Sequence, residues 1–204
     1  MDWSIFHTLN GTTRGHGTVQ DVVREFNSWA IVVLAAAAVA LWLVARPGGS
    51  LRPKLATASA SASAVLALAV NALLASLWYH DRPFVTHPQQ TVLLVRHRAD
   101  NGFPSDHASV AFAIAFAVLV FYRLLGVAFV AVATMIALDR VFVGVHYPSD
   151  VATSALVGLG SALVVAVLLR RYVEWVVLKL SRLTDPVVSA ATRRSAAAPR
   201  SPRD

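Results

Sequence analysis

The stretch at residues 138–150, LDRVFVGVHYPSD, decides how the rest of the sequence is interpreted. It lies in a chain rich in Ala, Val and Leu, yet it carries Asp139, Arg140, His146 and Asp150 within twelve positions. Ionisable side chains near a membrane are costly to desolvate, so four together indicate a chemical role. Arg140 offers a permanent planar donor to an oxyanion. His146 is a nitrogen nucleophile near neutral pH, and Asp150, four residues on, can hold its imidazole.

Two upstream stretches belong with this one: residues 81–83 (DRP) and residues 103–107 (FPSDH). Arg82 is a second oxyanion donor. The other stretch precedes an apolar run that begins at residue 108, so Ser105 is predicted at a helix start, where free backbone amides favour an anion. Asp106 is interpreted as a cap of the same helix start. Together the three stretches predict an anion cage with a nucleophile and a proton donor.

The composition is typical of a polytopic membrane protein. Of the 204 residues, 56% are hydrophobic and only 14% are charged. The absence of cysteine excludes a disulfide framework and a thiolate metal site. The net charge of +7 does not indicate a nucleic-acid partner, because the basic residues are spread over loops and the carboxyl end without interleaved aromatics. His80, His87 and His97 are predicted to be loop residues, since they lack the spacing of a zinc site.

Apolar runs predict an all-α, membrane-embedded helix bundle. A span needs roughly 20 apolar residues, and about five are predicted, at residues 29–45, 55–79, 108–122, 127–143 and 151–169. Residues 1–28 are predicted to form an interfacial segment with one or two short helices. Residues 29–183 form the membrane domain, and residues 184–204, rich in Ser, Ala, Pro and Arg, are predicted to be a flexible cytoplasmic tail. The polar segment 84–102 is too short to span and is predicted to lie at the interface or to cap the site.

Small and polar residues within the spans have structural interpretations. The run of Ser and Ala at residues 58–64 predicts close helix packing, and Asn71 predicts an interhelical hydrogen bond. Asp139 is predicted to pair with a nearby arginine.

Basic residues predict the orientation. With the amino terminus outside, twelve of the eighteen Lys and Arg residues lie on the cytoplasmic side. Four of the six external cations lie in or near the three stretches. All three stretches then share one membrane face, the extracytoplasmic face of a bacterial plasma membrane.

The ordered set resembles the type 2 phosphatidic acid phosphatase superfamily of membrane lipid phosphatases, whose pattern is Lys-x6-Arg-Pro, Pro-Ser-x-His and Arg-x5-His-x3-Asp. Arg82 with its following proline, residues 104–107, and Arg140 with His146 and Asp150 match it residue for residue. The sequences around the second and third motifs, FPSDHA at residues 103–108 and GVHYPSDV at residues 144–151, are most similar to those of the bacterial undecaprenyl-diphosphate phosphatases of that superfamily. Three motifs in the right order, each with its internal spacing, strongly indicate this family.

The sequence departs from this pattern at two positions. Ala75 stands where the family lysine falls, and Asp139 stands where a serine precedes the second arginine. The missing lysine removes one phosphate contact. His80, Arg96 and Arg98 are the candidates to supply that charge.

The resemblance implies a mechanism. His146 attacks phosphorus to form a phosphohistidine, Asp150 orients it, and His107 protonates the leaving group and then activates water. Neither a metal nor another cofactor is expected, because arginines and backbone amides stabilise the charge. The residues assigned to the phosphate are Arg82, Ser105, Asp106 and Arg140.

The leading hypothesis is hydrolysis of a lipid diphosphate, of the polyprenyl and undecaprenyl type, to the monophosphate and inorganic phosphate. The partners are therefore the lipid substrate and the bilayer; the sequence leaves the oligomeric state open. A rival within the class acts on phosphatidylglycerophosphate, phosphatidic acid or another prenyl-linked phosphate. A vanadate-dependent haloperoxidase shares the anion cage but is soluble and larger. A non-catalytic lipid-binding protein is favoured only by Ala75.

Overall fold

The computed structural model describes residues 2–45 and 49–197, with side chains described through residue 185. This part of the chain contains helices and no strand, which confirms the all-α prediction. The helices are α1 (Asp2–Gly11), α2 (Gly17–Leu43), α3 (Arg52–Leu77), α4 (Pro83–Thr86), α5 (Asp106–Phe121), α6 (Arg123–Phe142), α7 (Pro148–Leu163), a π-helical turn (Val164–Leu168) and α8 (Arg170–Ala197).

The helices form a multi-pass membrane bundle around α5. Four are long and apolar enough to cross a bilayer: α2, α3, α6, and α7 together with its π-helical turn. The fifth predicted span, α5, has 16 residues, which is about 24 Å of helix at 1.5 Å per residue. It packs against α3, α6 and α7, and its residues Ala108, Ala111 and Ala115 are fully buried. The shortest apolar helix is therefore the central one, covered by its neighbours.

The contact between α3 and α5 confirms two predictions. Within the Ser/Ala run, Ser59, Ala60 and Ser63 are buried, and their small side chains allow close approach of the backbones. Further along α3, the Asn71 amide donates to Asp106 (2.7 Å) and accepts from the Ser109 hydroxyl (3.1 Å). Asn71 therefore forms the predicted interhelical hydrogen bonds, directly below the first turn of α5.

The amino-terminal segment lies against the same end of the bundle. Between α1 and α2 only residues 12–16 are non-helical, so the span predicted to begin at residue 29 is the continuation of a helix that begins at Gly17. The Asn10 amide donates to the carbonyls of Val92 and Phe142, both at 2.9 Å, and its oxygen accepts from the Val92 N–H at 2.8 Å. In this way α1 joins the polar loop at residues 87–105 to the end of α6.

Helix α8 continues past residue 184, where the sequence predicts the start of a flexible cytoplasmic tail, to Ala197; residues 198–204 of that segment lie outside the described residues. Alanine favours helix, and Lys54, only 3% exposed, anchors α8 by donating to the Ser181 hydroxyl at 3.1 Å and to the Asp185 carboxylate. Lys54 lies at the start of α3, whereas Arg82 follows its end, so these two cations lie at opposite ends of the bundle.

Gly158 provides a test of the packing between α5 and α7. A Cβ atom there would lie 2.6 Å from the Phe112 Cβ atom and 2.7 Å from the Ala113 nitrogen. We expect Gly158→Ala to lower the thermal unfolding temperature in detergent, because the helices must shift at a cost of about 1–3 kcal/mol. Gly160 has nothing within 4 Å of its Cβ position, so Gly160→Ala is the matched control, with an unchanged or slightly higher unfolding temperature. Equal stability of the two variants would contradict this account.

Candidate active site

A cavity of about 370 Å³ lies where α3 ends and α5 begins. Its walls come from α3, the loop at residues 87–105, the start of α5, the end of α6 and the turn that follows it. The cavity brings together five of the residues predicted from the three sequence motifs, namely Arg82, Asp106, His107, Arg140 and His146.

A tight turn after α6 directs His146 into the site. Gly144 has a φ of +87°, and a Cβ atom there would lie 2.6 Å from the Val92 carbonyl oxygen, so both the backbone conformation and the space require glycine. His146 Nδ1 lies 2.8 Å from the Gly102 carbonyl oxygen. Because a carbonyl only accepts, Nδ1 carries the proton. His146 Nε2 lies 3.2 Å from Arg82 Nη1, which only donates, so Nε2 carries the lone pair.

The His146 imidazole is neutral at physiological pH. Burial lowers its pKa to about 4, and the charges of Arg140 and Arg82 act in the same direction, against the opposing effect of Asp150. A neutral imidazole is the form that can attack phosphorus.

The Arg82 guanidinium is buried, and four of its five N–H groups have hydrogen-bond partners. Its Nε donates to Asp100 at 2.8 Å, its Nη1 to the Val145 carbonyl at 3.1 Å, and its Nη2 to the Asn101 carbonyl at 3.1 Å. The Arg82 interaction lowers the pKa of Asp100 although partial burial raises it, so Asp100 is a carboxylate at neutral pH. These bonds aim one edge of the guanidinium at His146.

Asp150 supports the site from behind the cavity wall. Its two carboxylate oxygens accept from the Tyr147 N–H and from His80 Nδ1, each at 2.8 Å. Its distance to His146 Nδ1 is 3.7 Å, which is within ion-pair range but longer than a hydrogen bond. The imidazole is therefore oriented by the Gly102 carbonyl, and Asp150 contributes a nearby negative charge. The sequence suggested a direct bond because it cannot show which backbone carbonyl reaches the ring.

The Arg140 guanidinium is bound by a residue of α2. Its Nη1 donates to the Asn27 side chain from α2, and among the described residues its buried Nε has no hydrogen-bond partner. Asp139 is buried beside it but forms no salt bridge within the described chain, because consecutive residues of a helix point in different directions. A buried unpaired donor costs about 1–3 kcal/mol, and a phosphate oxygen is a suitable acceptor for it.

The start of α5 forms one wall, although Ser105 does not line it. Ser105 lies at the helix start, as predicted; it occupies the N-cap position, but its hydroxyl does not cap the helix. The Ser154 hydroxyl accepts from the Ser105 N–H (2.9 Å) and donates to its carbonyl (3.0 Å), which holds Ser105 behind the wall, fully buried. Asp106 is the first helical residue and not the cap. It lines the cavity beside His107.

The residues expected to replace the family lysine do not line the cavity. Ala75 does line it. His80 binds Asp150 instead, while Arg96 and Arg98 are exposed on the loop. Of the three histidines predicted to lie in loops, His97 lines the cavity.

Sequence reasoning also missed the turn formed by Asp100, Asn101 and Gly102. The Asn101 amide donates to the carbonyls of Ala75 (2.9 Å) and Trp78 (2.8 Å), and its oxygen accepts from the N–H groups of His80 (3.1 Å) and Phe103 (3.0 Å). This side chain joins the end of α3 to the loop. The DNG tripeptide is a turn signal, and its position directly before the FPSDH motif was the available clue.

Comparison with known proteins identifies the family. Residues 56–174 match the PAP2 superfamily, and this range contains every residue that lines the cavity. The chain is 29% identical over 197 residues to the undecaprenyl-diphosphatase BcrC of Bacillus subtilis (strain 168), covering 95% of this chain and 97% of that protein. It is 34% identical over 160 residues to the putative undecaprenyl-diphosphatase YbjG of Escherichia coli (strain K12), covering 78% of each.

A solved structure shares the fold. The crystal structure of Aquifex aeolicus LpxE has a TM-score of 0.67 with 21% sequence identity, and the match covers 80% of this chain and 93% of that one. Family match, relatives and fold agree with the cavity built from the three motifs. The chain belongs to the PAP2 superfamily and is a membrane lipid phosphatase.

Proposed function

We propose that the protein hydrolyses a polyprenyl diphosphate of the undecaprenyl type to the monophosphate and inorganic phosphate, with His146 as the nucleophile. The observation that carries the proposal is the state of the His146 ring: Nδ1 donates to the Gly102 carbonyl, and Nε2 presents its lone pair at Arg82, inside the cavity.

In the first step, His146 Nε2 attacks the terminal phosphorus and the bond from phosphorus to the bridging oxygen breaks. Arg82 and Arg140 stabilise the charge on the phosphoryl oxygens, joined by the uncapped amides at the start of α5. His107, which lines the same cavity, donates a proton to the departing lipid monophosphate; the bound diphosphate favours the protonated form of this imidazole. The phosphoimidazole is cationic. Its Nδ1 keeps its proton and still donates it to the Gly102 carbonyl, near the negative charge of Asp150.

In the second step, His107 accepts a proton from water, and the resulting hydroxide attacks the same phosphorus. The N–P bond breaks, and inorganic phosphate leaves with the neutral His146 restored.

The proposal of a long apolar substrate draws support from a second cavity, of about 720 Å³. It is lined mainly by apolar side chains, including Leu74, Leu77 and Trp78, and Phe103 lines both this cavity and the site. A lipid chain can therefore lie against the bundle while its headgroup enters the site. The two relatives named as undecaprenyl-diphosphatases support a polyprenyl chain in particular.

The nucleophile is tested by substitution. We expect His146→Ala and the closer isostere His146→Gln to lower the rate of phosphate release by at least about a thousandfold. Both proteins are expected to insert into the membrane and to elute from a size-exclusion column like the wild type. With an aryl phosphate, whose leaving group needs no proton, His107→Gln is expected to accumulate an alkali-stable phosphoenzyme that His146→Gln never forms. Undiminished phosphate release by His146→Ala would overturn the mechanism.

The substrate is tested with a panel in detergent without added divalent metal. We expect kcat/KM for undecaprenyl diphosphate to exceed that for phosphatidic acid and phosphatidylglycerophosphate by at least about tenfold, a difference of about 1.4 kcal/mol in transition-state binding. The rate of phosphate release by His146→Gln is the background rate that is subtracted for each lipid. Faster turnover of either phospholipid would assign the enzyme to the rival substrate class.

The orientation is tested by labelling. The proposal has the site on the extracytoplasmic face, supported by the excess of Lys and Arg at the other end. The chain contains no cysteine, so Arg98→Cys on the exposed loop beside the site and Ser50→Cys before α3 each provide a single thiol. We expect an impermeant maleimide to label Arg98→Cys in intact cells and Ser50→Cys only after lysis. The reverse pattern would place the site in the cytoplasm.

A further inference from the structure

The fixed charges that line the cavity cancel. Arg82 and Arg140 are the permanent cations in its described lining, and Asp100 and Asp106 are the carboxylates. The substrate is a multiply charged anion, and a neutral cavity offers it little net attraction. At Ala75 a methyl group lines the wall. Among the side chains that line the cavity, only a histidine can add a further positive charge.

Three histidines line the cavity: His97, His107 and His146. His146 must be neutral to attack, and His107 gives its proton to the leaving group in the proposed mechanism. His97 is the histidine without a role. Its ring lies edge-on to that of His146, with 6.4 Å between the centroids, which is close enough for both rings to contact one phosphate group.

The hydrogen bond of His97 determines which form can bind an anion. Its Nδ1 donates to the Arg98 carbonyl at 3.2 Å, so in the neutral ring Nε2 carries a lone pair and repels a phosphate oxygen. Protonation turns Nε2 into a charged donor without disturbing the bond to Arg98.

The surroundings of His97 favour the neutral ring until an anion binds. Burial lowers its pKa below the usual 6.5, the charges of Arg82 and Arg140 lower it further, and the Arg98 carbonyl and Asp100, 3.9 Å away, oppose them. His146, His107 and Asp106 are the other titratable groups around the cavity. A bound phosphate offsets the two arginines and raises the pKa of His97, so binding and protonation support each other.

We propose that His97 is a phosphate-binding residue of this enzyme, which takes up a proton as the anion enters and supplies the positive charge that Ala75 does not. The inference rests on the proposed phosphate site. It predicts that anion affinity rises as the pH falls, because the proton must be present on His97 for the contact to form.

The test is calorimetric titration of the full chain in detergent with inorganic phosphate, at pH 6 and pH 8. At pH 6 we expect His97→Asn to bind phosphate several-fold more weakly than the wild type, because a pKa shift of about one unit changes the affinity by at most about tenfold, at a pH below both pKa values. At pH 8 the two proteins are expected to bind alike. KM for the lipid substrate is expected to follow the same pattern, with a smaller change in kcat.

Two further variants distinguish charge from structure. Adding Ala75→Lys to His97→Asn introduces a permanent cation into the same cavity, and we expect it to restore phosphate affinity at pH 6 and to raise it above that of the wild type at pH 8. His16→Asn, at an exposed position before α2, is the control and is expected to keep the wild-type profile.

The proposal is overturned if His97→Asn retains wild-type affinity at pH 6, or if it loses affinity equally at both pH values and the lysine restores nothing. The latter would mean that His97 only supports Asp100. Since inorganic phosphate binds without turnover, this result is independent of which lipid, if any, the enzyme hydrolyses.

Discussion

The site depends on the burial of one guanidinium. Removing the charge of Arg82 from water costs several kcal/mol unless its N–H groups find acceptors, and the acceptors come from two distant pieces of chain: residues 100–101 and residues 145–146. The hydrogen bonds of Arg82 therefore bring the loop at residues 87–105 and His146 together at the cavity. The same contact leaves His146 Nε2 as an acceptor, so the bond that builds the site also selects the reactive tautomer.

The bundle supports that contact with small residues and short polar links. The central helix α5 is covered on its sides, so its first turn, at the floor of the cavity, is held by Asn71 from α3 and Ser154 from α7. A helix approached this closely has little freedom to slide, because interiors are packed too densely to deform continuously. The amides and the imidazole of His107 are thereby kept in position for an anion.

Electrostatics then explains the choice of residues in the cavity. The proposed mechanism requires a neutral His146, and burial together with the charges of Arg140 and Arg82 lowers its pKa. An anion-binding histidine must be charged, but only while the anion is present. His146 and His97 lie in one cavity and differ in exposure: His146 is 4% exposed, whereas 26% of the His97 side chain is exposed. Water can reach the latter, so a proton can as well.

The sequence alone determined the helical membrane class, the three motifs and their common end of the bundle, because apolar run length and the spacing of charged residues are local properties. It also indicated Asn71 and the Ser/Ala run correctly. It did not indicate that α8 extends beyond residue 184, since low complexity does not reveal an anchor such as Lys54. Only the tertiary structure decided that Gly102 orients His146, that Asn27 holds Arg140 and that His97 reaches the cavity. A backbone carbonyl carries no signature in sequence, and contacts between residues dozens of positions apart exist only after the helices have packed.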